Sequence, residues 1–116
     1  MAKVLILDVD PELVEVLPII LTQHGHQAIV LDPHININDV AFIRPDLVLL
    51  TDVANEINPD LCLKVKSDQR TETIPIVLLS VLPDIEDVAF ASKADGYIKM
   101  PFDIQEIADA VNIYLL

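Results

Sequence analysis

Five short runs of consecutive apolar residues punctuate the chain: Val4 to Leu7, Ala28 to Leu31, Leu47 to Leu50, Ile76 to Leu79 and Tyr97 to Ile98. Each is followed by a segment with helical spacing, so the chain reads as five βα units. The runs lack the polar alternation of a strand with one wet face. They therefore predict strands buried on both sides, as in a parallel sheet covered by helices on each face. The expected architecture is an α/β three-layer sandwich.

At 116 residues, with 53% of them apolar, the chain has room for one domain with a real core and little for a second. The expectation is a single domain over residues 1–116. Its apolar stretches are far short of the ~20 residues that span a bilayer. Residues 1 to 20 lack a basic start followed by an apolar block and a small-residue cleavage site, so a cytoplasmic protein is expected, with no membrane contact. Nineteen acidic against seven basic side chains give a net charge of −12, a field that repels nucleic acid and anionic lipid. A single cysteine, Cys62, excludes an internal disulfide or a cysteine-cluster metal site and reads as a small buried hydrophobe. His24, His26 and His34 have no helical ligand spacing and read as surface residues.

The first helix has a clear start, with Asp10 as N-cap, Pro11 at the first helical position and Glu12 near the positive end of the dipole. It is expected to reach about Gln23 and stop at Gly25, with a kink or break at Pro18. The second helix, around Asn38 to Ile43, is the weakest, because Pro33, Asn36 and Asn38 favour turns. In the last helix Ile104, Ile107, Ala108, Val111 and Leu115 form a core-facing stripe, while Ile113 projects nearly opposite, close in direction to Glu106. Phe90 similarly lies off the face made by Ile85, Val88 and Ala89.

In an open parallel sheet, ligands and chemistry gather at the carboxyl ends of the strands. Asp8, Thr51, Ser80 and the pair Lys99 and Met100 all fall there, on strands one, three, four and five. With only two glycines, Gly25 and Gly96, there is no glycine-rich cradle for a nucleotide phosphate. Nor does any nucleophile and base pair mark an enzyme.

Four blocks, Val4 to Pro11, Arg44 to Thr51, Ile74 to Ser80 and Ala94 to Phe102, strongly resemble the receiver domains of two-component response regulators, in order and in rough spacing. The similarity covers nearly the whole chain. It implies a flavodoxin-like (βα)5 sandwich with a parallel sheet in the order 2-1-3-4-5. It also implies a site in which two consecutive acidic residues after strand one hold Mg2+ and an aspartate ending strand three accepts phosphate from a histidine kinase. A hydroxyl after strand four and a lysine before a Pro-Phe pair contact the phosphoryl group. Such chemistry needs cations to neutralise the oxygens of an in-line transition state.

Position by position, much of that apparatus is missing. Asp8 occupies the first acidic position, but Val9 occupies the second and offers no oxygen to a hard cation. Thr51 occupies the acceptor position, and a neutral hydroxyl without a base is a poor nucleophile. Met100 stands where the lysine belongs. Ser80 and Tyr97 match the family's switch pair of a hydroxyl and an aromatic.

Each lost group has a like residue next door: Asp10 for Val9, Asp52 for Thr51, Lys99 for Met100. A one-residue slip turns a strand side chain to the opposite face or requires a bulge, and three strands would need it together. The expected reading is a stand-alone pseudo-receiver, not an enzyme, that binds another signalling protein in trans. The alternative is an atypical receiver phosphorylated at Asp52, with weak Mg2+ held by Asp8, Asp10 and Asp52. In the family, helix four, strand five and helix five form the common surface for dimers and effectors. Phe90 and Ile113 mark the expected interface there, for a partner or a homodimer.

Overall fold

The computed structural model describes residues 2–8, 11–32, 34–51 and 59–115. Its elements alternate as the apolar runs predict: β1 (Lys3–Leu7), α1 (Pro11–Gln23), β2 (Gln27–Leu31), α2 (Ile37–Ile43), β3 (Leu47–Thr51), α3 (Pro59–Ser67), β4 (Ile76–Ser80), α4 (Ile85–Ala91), β5 (Gly96–Lys99) and α5 (Ile104–Tyr114). The strands form one parallel sheet in the order β2-β1-β3-β4-β5. This is the flavodoxin-like arrangement that the resemblance implies.

Strand alternation divides the core into two layers. Leu5, Leu7, Val48, Leu50 and Leu78 face one side and pack with Leu61, Cys62 and Val65 of α3 and Ile85 and Ala89 of α4. Val4, Ile6, Leu49, Val77 and Leu79 face the other side and meet Leu17, Ile20 and Leu21 of α1 and Ile107 and Val111 of α5. Every residue of β3 and β4 is buried, which explains why these strands read as unbroken apolar runs.

The structure departs from the sequence reading in local details. α1 is continuous through Pro18, with no break. An interior proline costs a helix ~3 kcal/mol. Leu17, Ile20 and Leu21, all buried beside it, each contribute about 1.5–3 kcal/mol, enough to hold both halves on the sheet. Asn36 strengthens α2 rather than weakening it: its side chain caps the Asn38 and Asp39 amides, and Asp39 returns a bond to the Asn36 amide. Ile104, expected in the core stripe, is 58% exposed, and Leu115 is only half-buried; Ile107, Ala108 and Val111 carry the packing. The proposed N-cap, Asp10, lies outside the described residues. Gly25, at φ 82°, ends the turn after α1, a conformation that favours glycine. Gly96 makes room for Tyr114, because a Cβ there would force the Tyr114 ring and hydroxyl to shift.

Candidate functional site

The carboxyl edge of the sheet collects four of the residues singled out above. Asp8 follows β1, Thr51 ends β3, Ser80 ends β4 and Lys99 ends β5. The pairing of Leu7 with Leu50 places Asp8 opposite Thr51 on adjacent strands. Both are deeply buried, at 3% and 1% exposure. The Thr51 hydroxyl donates to the Leu7 carbonyl at 3.2 Å, so it is directed across the β1–β3 boundary and satisfied there. The Asp8 amide donates to the Leu31 carbonyl at 3.2 Å, which anchors its backbone to β2.

Ser80 is also buried, and its Oγ accepts the Leu82 amide at 2.9 Å, shaping the turn into α4. The Met100 amide donates to the Ser80 carbonyl at 2.8 Å, which ties the end of β5 to the end of β4. Met100 is half-buried against the α1/α5 core layer with Phe102, and the Met100–Pro101 bond is cis. Lys99 is exposed and lines a groove with α5. Tyr97, on the same strand, pairs in register with Leu78 and is 37% exposed.

Val9, Asp10 and Asp52 lie outside the described residues, so Asp8 alone of the three candidate metal ligands is described. At this edge the described carboxylate is Asp8, with the neutral Thr51 hydroxyl opposite on β3. Buried Thr51 also brings no negative charge that a cation would have to balance.

Sequence reasoning missed two features. Phe42 on α2 is 89% exposed, as fully as Phe90 on α4; it lies two positions after buried Val40, which was the signal available. The second is the open groove of about 400 Å³ between β5 and α5, whose Glu106 and Ile113 were noticed only as helix directions.

A five-stranded parallel sheet in this order, with its buried Asp8, Thr51 and Ser80 gathered at the carboxyl edge, is that of a response regulator receiver domain, and the chain belongs to that family. Its relatives are of the same kind. It is 34% identical over 97% of its length to the DNA-binding response regulator MtrA of Mycolicibacterium smegmatis, of which it covers 50%. To the DNA-binding dual master transcriptional regulator RpaA of Synechocystis it is 30% identical over 99% of its length, covering 49% of that protein. The chain thus spans about half the length of these curated relatives. Among solved structures, the signal receiver domain of a histidine kinase from Syntrophus aciditrophicus superposes with a TM-score of 0.82 and 26% identity, over 99% of this chain and 90% of that one. No family model matches the chain.

Proposed function

We propose that the chain is a pseudo-receiver: a cytoplasmic signalling module that acts by binding another signalling protein, without accepting phosphate on an aspartate and without turnover of its own. The observation that carries this reading is Thr51. At the end of β3, where the family places its acceptor carboxylate, the chain has a buried neutral hydroxyl that donates to a backbone carbonyl. Val9 and Met100, at the positions of the second metal ligand and the lysine, point the same way.

Three separate roles are lost together while the buried core of the sheet is intact, which fits a fold retained for its surface. Phe90 at 89% and Ile113 at 63% exposure supply apolar anchors on the face of α4, β5 and α5. Nucleic-acid binding, which the names of the relatives record for those proteins, is not proposed for this chain because its −12 charge opposes a polyanion. No described helix is long and apolar enough to cross a membrane.

The test is incubation with acetyl phosphate and Mg2+ followed by intact-mass measurement. The expected result is no adduct. An acid-stable, base-labile phosphate adduct would overturn the reading, and its mapping to Asp52 would support the alternative of an atypical receiver phosphorylated there.

A further inference from the structure

We infer that the pocket at the amino edge of the sheet, between α2 and the turn that leads into β4, binds a small monocarboxylate with a short apolar body. The inference goes beyond the pseudo-receiver reading and does not depend on it, because Asp8, Thr51 and Ser80 lie at the opposite edge. Pro45 precedes β3 and Ile74 precedes β4, and with Ala41, Arg44 and Arg70 they line a cavity of about 370 Å³. That volume falls in the lower part of the range for small-molecule sites.

The chain has two arginines, and both line this cavity in a protein whose net charge is −12. Arg70 is held in place. Its Nε and Nη2 donate to the two Asp68 oxygens at 3.0 and 2.8 Å, and Nη2 also donates to Asn38 Oδ1 on α2 at 3.0 Å. These bonds leave Nη1 without a partner among the described residues. The Arg44 guanidinium is bonded to none of the described residues, although its backbone is fixed by an amide bond to the Val40 carbonyl at 3.0 Å and by buried Pro45 after it. Two further cations border the pocket: Lys3 Nζ donates to the Ile43 carbonyl at 2.9 Å, and Lys66 Nζ to the Ile74 carbonyl at 3.1 Å.

The pairing of charges selects the ligand. Asp68 pairs with Arg70 at 2.8 Å and Asp95 with Lys66 at 2.9 Å, so Arg44 is the lining cation left without a carboxylate among the described residues. One unbalanced guanidinium suits a monoanion, and its planar fork matches a carboxylate. The acidic field of the chain works against a more highly charged ligand such as a nucleotide or an acidic protein. Ala41, Pro45 and Ile74 add apolar lining, which favours a ligand with a short hydrocarbon body. Such a ligand joins α2 to the turn between α3 and β4, two segments that the bond from Arg70 to Asn38 already bridges.

The test titrates the isotope-labelled full chain with isocaproate at pH 6 and constant ionic strength, and follows by NMR the amides of Ala41, Arg44 and Ile74 and the Nε–H signals of both arginines. Saturable shifts centred on these residues are expected in the millimolar range. Neutral isocaproamide should produce none, and acetate, which lacks the apolar body, should bind about fivefold more weakly. Arg44→Gln should weaken isocaproate binding about tenfold and leave the melting temperature in chloride unchanged, because the side chain is exposed and bonded to none of the described residues. Lys99→Gln, at the carboxyl edge, should change binding less than about twofold. Ala41→Leu keeps every charge and fills the cavity, and it should abolish the isocaproate shifts.

Absence of saturable shifts would overturn the inference. So would binding of isocaproamide or inorganic phosphate as tight as that of isocaproate, equal losses in Arg44→Gln and Lys99→Gln, or full binding by Ala41→Leu.

Discussion

Placing a second carboxylate beside Asp8 by Thr51→Asp should destabilise this protein, and the size of the effect follows from the strand register. Asp8 and residue 51 are opposed on adjacent strands and both buried. Neighbouring strands are ~4.8 Å apart. Two carboxylates at that separation repel by about 3 kcal/mol at an effective dielectric of ~20. The new carboxyl would also lose the hydration it has in the unfolded chain, and half-buried Met100 supplies no compensating charge. Both effects push its folded-state pKa above the unfolded value of about 3.9.

The sign of the pH dependence follows. Below the unfolded pKa both states are protonated and the penalty vanishes; above it the unfolded state ionises first, and the deficit grows until the folded carboxyl also ionises. Urea denaturation of wild type and variant between pH 4 and pH 8 measures this directly. The deficit should be under about 1 kcal/mol at pH 4 and about 3 kcal/mol or more at pH 7. Adding Met100→Lys should recover part of it, because an ammonium then faces the carboxylate pair. Equal stability of Thr51→Asp and wild type at pH 7 without divalent cations would refute the reasoning, since the edge would then already hold the positive potential of a working receiver.

Gly96→Ala should cost about 1–3 kcal/mol in the same denaturation experiment by pressing on the Tyr114 side chain, whose hydroxyl donates to the Asp95 carbonyl at 3.0 Å. Tyr114→Ala in that background should remove most of the added penalty; an additive loss would show that the two residues do not collide. Burial pushes the Cys62 thiol up from its ordinary value, so the native protein should resist a disulfide exchange reagent at pH 8 and react promptly in urea. Rapid native labelling would contradict that burial. The Arg70 guanidinium, bonded to both Asp68 oxygens at 3.0 and 2.8 Å, holds the Asp68 carboxyl down at about 2. Carboxyl-carbon NMR should therefore show Asp68 charged until the pH falls close to 2, and Arg70→Ala should return it toward the usual range.

β1, β3 and β4 were legible because burial on both faces leaves a chemical trace, an apolar run without alternation; the edge strands β2 and β5 read the same way although they are only partly buried. Helix faces were legible only in direction. Ile104 shares the phase of Ile107 and Val111, yet it is exposed, because periodicity does not report how far the sheet extends over a helix end. Of the kink or break expected at Pro18, the break is absent for a related reason. Local backbone preference is decided against it by the burial of Leu17, Ile20 and Leu21, which depends on strands distant in sequence.

By itself the sequence determined the chemical identity of the groups at these positions: Thr51, Val9 and Met100. The strand order came from resemblance, since nothing in a run of apolar residues names its neighbour. Only the tertiary structure decided what those groups do. It set the Thr51 hydroxyl against a carbonyl 44 residues away, packed Met100 against the core and directed Lys99 into a groove with α5. The physical reason is that composition and spacing act within a segment, whereas hydrogen-bond partners, burial and grooves arise between segments that meet only when the sheet is assembled.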